Sequence, residues 1–347
     1  MTDDIRLCRT FQTAPAAVPK DDSAKYLTSG LEAEGFQAPD WLVPDLEDGT
    51  APDMKEQGLE NTIENVPEYE FPGEIWPRVE WSYEDETYRE KGRAQIDRLV
   101  SEVGDEIDGV VVPKVGRLED VQNAAKAVAE AESEHGYADG SIGLSIIIET
   151  GRARSDLREI AQFGEDSRLT ALVFGPVDYA AELGGRDLGD GMPRWDGLLE
   201  ALSNEASAGG LLSIGGPFDD LFKERAGLTY YNADEYADQV EHEARLGLDG
   251  SWSLYPKQTI QANTVHMPTP EELERDVNKI ERFNEAKREG TGAVTLDGQM
   301  VDEATFKNFR NTVQQVRAIY DTRPEQAEEY YDEGLLERAL ELELSYQ

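Results

Sequence analysis

Cysteine is all but missing from this chain: Cys8 stands alone, which excludes an internal disulfide and any cysteine-rich metal centre. It sits in an apolar-leaning segment and reads as a small packed residue. Histidine is nearly as scarce. His135, His242 and His266 lie far apart, the first two in acidic helical stretches, so neither a zinc site nor a histidine base is supported. Positive charge is also in short supply, with 33 Lys and Arg against 73 Asp and Glu and a formal net charge of −40. Such a surface repels nucleic acid and anionic membranes. No apolar run reaches the roughly 20 residues of a membrane span. The opening Met1-Thr2-Asp3-Asp4 has no signal-peptide character, and a cytoplasmic protein is expected. There is no Gly-x-Ser-x-Gly elbow, no P-loop and no glycine-rich turn after the first predicted strand. The last absence argues against an open dinucleotide-binding sheet.

What is present is a packed core and a dispersed negative surface. Hydrophobic residues make up 39% of the chain in strongly periodic segments, which separates it from acidic disordered sequences. The acids are spread over nearly every predicted helix face. That pattern suits a surface adapted to high salt, where counterions screen self-repulsion, with an acidic protein of low-salt origin as the alternative.

Strand-like and helix-like segments alternate through about Gly290. Eight strands are predicted: Arg6 to Gln12, Trp41 to Asp45, Glu74 to Val79, Gly109 to Lys114, Gly143 to Glu149, Thr170 to Gly175, Leu211 to Gly215 and Gly250 to Leu254. Between them run amphipathic stretches. In one, Ile96, Leu99, Val100 and Val103 recur at helical spacing; in another, Leu118, Val121, Ala125 and Val128 do so. The pattern predicts a TIM (β/α)8 barrel over residues 1–290 and a C-terminal helical cap over 291–347. Within the tail, a long helix is expected from Pro268 to Ala286, then a Gly290 to Gly292 break, a short extended segment from Ala293 to Leu296 and a tight turn at Asp297-Gly298. A helix carrying Phe306, Phe309, Val313 and Val316 follows, and one more surface helix covers Glu325 to Gln347.

The predicted strands deliver charge at their ends. Asp45-Leu46-Glu47-Asp48, Arg78, Lys114, Glu149 and Asp178 each follow a short apolar run, and in a parallel barrel such ends converge on the catalytic face. A carboxylate after a buried strand is costly without a partner. Glu149 and Asp178, with waters and a chelating substrate, would make a reasonable octahedral Mg²⁺ site; strand-end acids bonded to loop amides or an arginine are the alternative. Asp45, Glu47 and Asp48 could hold a metal's waters or form a solvated turn. Arg78 offers a planar fork to a carboxylate or enolate oxygen, or to a buried structural partner. Lys114 is a weaker candidate for the same role, since the position could also hold a structural ion pair across the mouth.

These residues, in order, carry a resemblance. Asp45-Leu46-Glu47-Asp48-Gly49, Arg78-Val79, Val112-Pro113-Lys114-Val115, Ile148-Glu149-Thr150, the run Phe174 to Tyr179 with Leu183-Gly184, Leu254 to Gln258, and Leu296 to Asp302 resemble the citrate lyase β-subunit-like family, and within it the malyl-CoA and β-methylmalyl-CoA lyases. The resemblance covers almost the whole chain. It implies a reversible cleavage of a malyl-CoA or β-methylmalyl-CoA thioester to glyoxylate plus acetyl-CoA or propionyl-CoA. It implies Mg²⁺, with Mn²⁺ as the alternative ion, on Glu149 and Asp178, Glu47 and Asp48 in the hydrogen-bonded shell around it, and Arg78 facing the glyoxylate or enolate oxygens. Tyr255, Pro256 and Lys257 would line the CoA channel, and the loop from Arg9 to Lys20 would meet CoA phosphates. Asp302 would be the catalytic acid/base, supplied by a neighbouring subunit of a homo-oligomer, trimer or hexamer, with shared sites. Tyr255 stands where many relatives have His, and Gln299 where many have Lys. A malate synthase-like or thioesterase variant, or a β subunit working inside a citrate lyase-type complex, are the other outcomes the resemblance allows.

Overall fold

Eight parallel strands close into a ring in the computed structural model, which describes residues 6–185, 195–225, 227–288, 294–296 and 299–344. They are β1 (Thr10–Pro15), β2 (Trp41–Asp45), β3 (Glu74–Ile75), β4 (Gly109–Val112), β5 (Gly143–Ile148), β6 (Leu169–Phe174), β7 (Leu212–Ile214) and β10 (Ser251–Ser253). Strands β8 (Phe222–Arg225) and β9 (Leu228–Tyr231) form an antiparallel hairpin between β7 and the next helix. The runs β10-β1-β2-β3 and β4-β5-β6-β7 are joined by bridges from Arg78 to Val111 and from Ile214 to Gly250. Every pairing in the ring is parallel, which makes it the expected TIM barrel.

The apolar runs explain the closure. Strands β4 and β5 are buried along their whole length, as strands covered on both faces must be. Alternation then sorts the side chains. Val111, Ile147, Ala171, Val173 and Ile214 join Phe11, Trp41, Trp76 and Trp252 in one cluster, whereas Val110, Val112, Ile146, Ile148, Leu172 and Phe174 pack in the other with helical residues such as Ile96, Leu99 and Val128. The first set fills the barrel and the second lies under its helices. Trp41 and Trp76 stack at 4.0 Å within the barrel. Gly109 opens β4 because a Cβ there would stand 2.1 Å from the Trp76 ring.

Several boundaries differ from the sequence reading. Strand β1 starts at Thr10 and runs to Pro15, later than expected, because its buried polar residues are satisfied by other elements: Asp40 N–H donates to Thr10 Oγ1 (2.9 Å) and Trp252 Nε1 donates to Thr13 Oγ1 (2.9 Å). In the tail, the expected extended segment is β11 (Val294–Leu296), paired in a hairpin with a second strand, β12 (Gln299–Val301), and the expected helix follows at Glu303–Thr322. The expected Gly290 to Gly292 break and the Asp297-Gly298 turn lie outside the described residues. In place of one terminal helix there are two, Pro324–Tyr330 and Glu333–Glu341. Tyr331 is buried at the break, its hydroxyl donating to the Pro268 carbonyl, and Asp332 caps the second helix.

The chain divides into two compact units, Cys8–His266 and a second formed from Met267 onward with the residues preceding Cys8. This division falls before position 290, because the Pro270–Arg288 helix packs on the Glu303–Thr322 helix. Among the described residues no helix is long and apolar enough to cross a membrane.

Candidate active site

Five neighbouring strands, β2 to β6, each place a charged residue at or just beyond the C-terminal end: Asp45, Arg78, Lys114, Glu149 and Asp178. Asp45 is the hub. Its carboxylate, 1% exposed, accepts Arg78 Nε (2.7 Å) and Nη2 on its two oxygens, and also the backbone N–H groups of Glu47 (2.9 Å) and Gly49 (2.8 Å). Four donors on two oxygens fold the Asp45 to Gly49 turn back on itself and fix the Arg78 fork. The remaining guanidinium nitrogen, Nη1, lies 3.5 Å from Glu47, and Arg78 packs 5.6 Å from the centre of the Trp252 ring. Desolvation is the largest single influence and opposes the Arg78 charge, but Asp45, Glu47 and Glu149 together outweigh it and hold the group protonated.

Lys114 links the next pair of loops. Its ammonium donates to Glu47 and to Asp48 (2.7 Å), and its backbone N–H donates to Glu149 Oε1 (2.6 Å). It is the one non-glycine residue with positive φ among the described residues, at 48°, a conformation that costs about 1–3 kcal/mol. The sequence reading weighed Lys114 as a weaker functional candidate against a structural ion pair. The structure adds a backbone contact that orients Glu149. Burial raises Glu47 to about 6, against the pull of Arg78 and Lys114. Desolvation, the largest single influence, would raise Asp48 too, but its contacts with Lys114 and Glu47 and the charge of Arg78 together outweigh that and hold it below the usual carboxylate range.

Glu149 is 4% exposed at the end of β5, and Asp178 occupies the first turn of the helix Pro176–Glu182. Gly175 makes room for the glutamate: a Cβ there would meet Glu149 Oε2 at 2.5 Å. Burial, and then the charge of Asp178, push Glu149 up to about 8, against the Lys114 N–H and Arg78. A carboxylate held toward its protonated form by burial and a second carboxylate is the arrangement a divalent cation reverses. Among the described residues no group of three or more His, Cys, Asp or Glu could ligate a metal. The fit is therefore to an ion that takes two carboxylates and completes its coordination with water or substrate, which is the habit of Mg²⁺.

The other expected residues separate. Arg9 is fully buried at the opposite end of the strands, where its Nε and Nη2 donate to Asp40 (2.9 and 2.8 Å). It is an internal ion pair and is not placed to meet CoA phosphates, contrary to the sequence reading. Lys20 is exposed in the loop after β1, its ammonium donating to the Tyr26 hydroxyl (3.0 Å). Tyr255, Pro256 and Lys257 follow β10, the strand paired with β1. Between β1, residues 26–37 and the end of β10 opens a cavity of about 400 Å³, lined by Gln12, Thr13, Tyr26, Ser29, Glu32, Glu34, Leu254 and Pro256 among others. Asp302 belongs to the C-terminal unit and caps the helix Glu303–Thr322, accepting from the Thr305 N–H (3.0 Å).

A family profile described as HpcH/HpaI aldolase/citrate lyase matches residues 28–254, from ahead of β2 to the end of β10. The chain belongs to the HpcH/HpaI aldolase/citrate lyase family. Within it, the L-malyl-CoA/β-methylmalyl-CoA lyase of Haloarcula marismortui is 64% identical over 343 residues, covering 98% of this chain and 99% of that protein. Two solved structures of Haloferax volcanii malate synthase are also similar. The magnesium/glyoxylate complex has 31% identity and a TM-score of 0.71, covering 98% of this chain and 99% of that one. The pyruvate/acetyl-CoA ternary complex has 32% identity and the same TM-score, covering 98% and 100%.

Proposed function

We propose that this member of the HpcH/HpaI aldolase/citrate lyase family is a carbon–carbon lyase that splits L-malyl-CoA or β-methylmalyl-CoA into glyoxylate plus acetyl-CoA or propionyl-CoA, and runs the reverse condensation. The observation that carries the reading is the pairing of buried Glu149 with Asp178 beside the Asp45–Arg78–Glu47–Lys114 network, together with 64% identity to the Haloarcula enzyme over nearly the full length.

In cleavage, the β-hydroxyl loses its proton as it becomes the glyoxylate carbonyl, the Cα–Cβ bond breaks, and its electron pair moves into a thioester enolate. That enolate takes a proton at Cα to leave the acyl-CoA. Glu149 and Asp178 would hold Mg²⁺, which when bound supplies Lewis-acid polarisation and charge neutralisation at the glyoxylate oxygens. Arg78, rigidly aimed by Asp45, presents fixed positive charge where oxyanion character grows. Lys114 keeps Glu47 and Asp48 oriented around that centre. Asp302 gives the proton to Cα in cleavage and removes it in condensation, a role assigned from its Gly298 to Asp302 motif and supplied by a neighbouring copy in a homo-oligomer. The cavity beside β1 receives the CoA arm, with Pro256 in its lining and Lys20, Tyr255 and Lys257 on the loops that follow β1 and β10.

The test is a steady-state panel of CoA esters with Mg²⁺ in molar KCl. Glyoxylate release from malyl-CoA without free thiol supports the lyase. Thiol release from acetyl-CoA plus glyoxylate indicates the synthase or thioesterase reaction, and inertness of the purified chain points to a subunit that works only inside a complex.

A further inference from the structure

Five carboxylates gather at or just past the ends of β2, β5 and β6, yet among the described residues no three acids are set to ligate one ion. Cations built into the protein account for this. Arg78 takes both oxygens of Asp45. Lys114 takes one oxygen from each of three more: its ammonium donates to Glu47 Oε1 and to Asp48 Oδ2 (2.7 Å), and its backbone N–H donates to Glu149 Oε1 (2.6 Å). The second oxygen of Glu47 accepts the Asp48 N–H (2.8 Å). Glu149 Oε2 and the Asp178 carboxylate accept no hydrogen bond among the described residues and are left for an ion.

The backbone at Lys114 singles out its side chain. A φ of 48° is costly for any residue with a Cβ, whereas glycine adopts it freely. The N–H is bound to Glu149, and the carbonyl accepts the Tyr83 N–H (3.0 Å). Glycine would keep both backbone bonds without the strain, so only the contacts to Glu47 and Asp48 require a lysine. Glu47 is buried, where water competes little for its charge.

An ammonium and a divalent ion compete for the same oxygens. Mg²⁺ keeps several waters and takes one or two carboxylates, whereas Ca²⁺ accommodates about six to eight oxygens and gains from each added carboxylate. We propose that Lys114 sets the metal selectivity of the site: by engaging Glu47 and Asp48 and capping one oxygen of Glu149, it limits the protein ligands to Glu149 and Asp178 and favours Mg²⁺ over Ca²⁺. This rests on the Mg²⁺ reading above. Lys114 is a positioning residue, and it leaves the ion's other positions to water and substrate.

The experiment is calorimetric titration of the purified chain with Mg²⁺ and, separately, with Ca²⁺ at fixed molar KCl, for wild type, Lys114→Gly, Lys114→Met and Lys114→Arg. Glycine keeps the backbone N–H and relieves the strain; methionine keeps the bulk without the charge. Both should strengthen Ca²⁺ binding relative to Mg²⁺ by roughly tenfold or more, while Lys114→Arg, which keeps the charge, should hold the wild-type ratio. Adding Asp48→Asn to Lys114→Gly removes one released ligand and should take back part of the gain. A lysine that only braces the loops would lower the melting temperature and weaken both ions in proportion. An unchanged ratio of the two affinities in Lys114→Gly and Lys114→Met therefore overturns the proposal, and should one of them not fold, the other decides. If wild type binds neither ion while Lys114→Gly binds Ca²⁺, the Mg²⁺ reading of Glu149 and Asp178 fails and the role of Lys114 stands; if none of the proteins binds either ion, both fall.

Discussion

Replacing Asp45 with asparagine removes one charge from the most heavily bonded carboxylate in the site. The aspartate accepts four hydrogen bonds, two from Arg78 and one each from the Glu47 and Gly49 N–H groups, at 1% exposure. Asparagine keeps one acceptor oxygen and turns an NH₂ toward the donors that the second oxygen satisfied. Arg78, 7% exposed, is left with Glu47 at 3.5 Å as its remaining charge partner. Breaking a buried pair by removing one partner costs about 3–5 kcal/mol. The residual Glu47 contact places the expectation at the lower end, about 3 kcal/mol. At about 2–4 °C per kcal/mol for a domain of this size, the melting temperature should fall by roughly 6–12 °C. Denaturant unfolding at fixed molar KCl measures the loss, and a change below about 1 kcal/mol would refute the assignment of Asp45 as the hub.

Asp302→Asn separates chemistry from folding, because asparagine caps a helix as well as aspartate does; turnover should drop about 10²–10⁴-fold with the melting temperature unchanged, and mixing this variant with Glu149→Gln subunits should recover part of the activity if sites are shared. Unimpaired turnover of the single variant would remove Asp302 from the mechanism. Glu243 is fully buried, accepting from Ser251 and Gln239, and burial pushes it up to about 8. The folded state thus holds this proton more tightly than the unfolded chain, so the contribution is complete below about pH 4.5 and is lost as pH rises through about 8. Relative to Glu243→Gln, wild type should lose a few kcal/mol of stability across that window, and parallel stability–pH curves would contradict this. The charge of −40 predicts salt dependence: lowering KCl from about 1 M to about 0.1 M lengthens screening from about 3 Å to about 10 Å. Dissociation or a lower melting temperature should follow, and an unchanged oligomer and melting temperature would show that the surface is not a high-salt adaptation.

The barrel was legible where burial on both faces leaves uninterrupted apolar runs, as in Val110 to Val112 and Ile146 to Ile148. The strand-end charges were legible because a parallel barrel has only one face on which to gather them. β1 was misplaced because Thr10, Gln12 and Thr13 are buried polar residues whose partners, among them Asn263, Thr259 and Trp252, lie some 240 to 250 residues away. Arg9 failed as a phosphate contact for the same reason: Asp40 claims it, and sequence spacing cannot distinguish a guanidinium buried at one end of the strands from one exposed at the other. Among three acids in the span Asp45 to Asp48, nothing in composition singled out Asp45 as the group that grips Arg78. The β8–β9 hairpin went unread because Phe222 to Tyr231 lacks an apolar core face, and its aromatic residues pack on Tyr255 from another loop.

On the proposed mechanism, Glu149 and Asp178 hold the ion on which carbon–carbon cleavage depends. Glyoxylate release from malyl-CoA should therefore be measured for wild type in Mg²⁺, for wild type in EDTA with Mg²⁺ then restored, and for Glu149→Gln, with tight Mg²⁺ binding followed by calorimetry in each protein. EDTA should abolish the activity and Mg²⁺ return it, and the glutamine variant should be folded, inactive and unable to bind the ion. Full turnover in EDTA, or a glutamine variant that binds Mg²⁺ and cleaves malyl-CoA as wild type does, would contradict it.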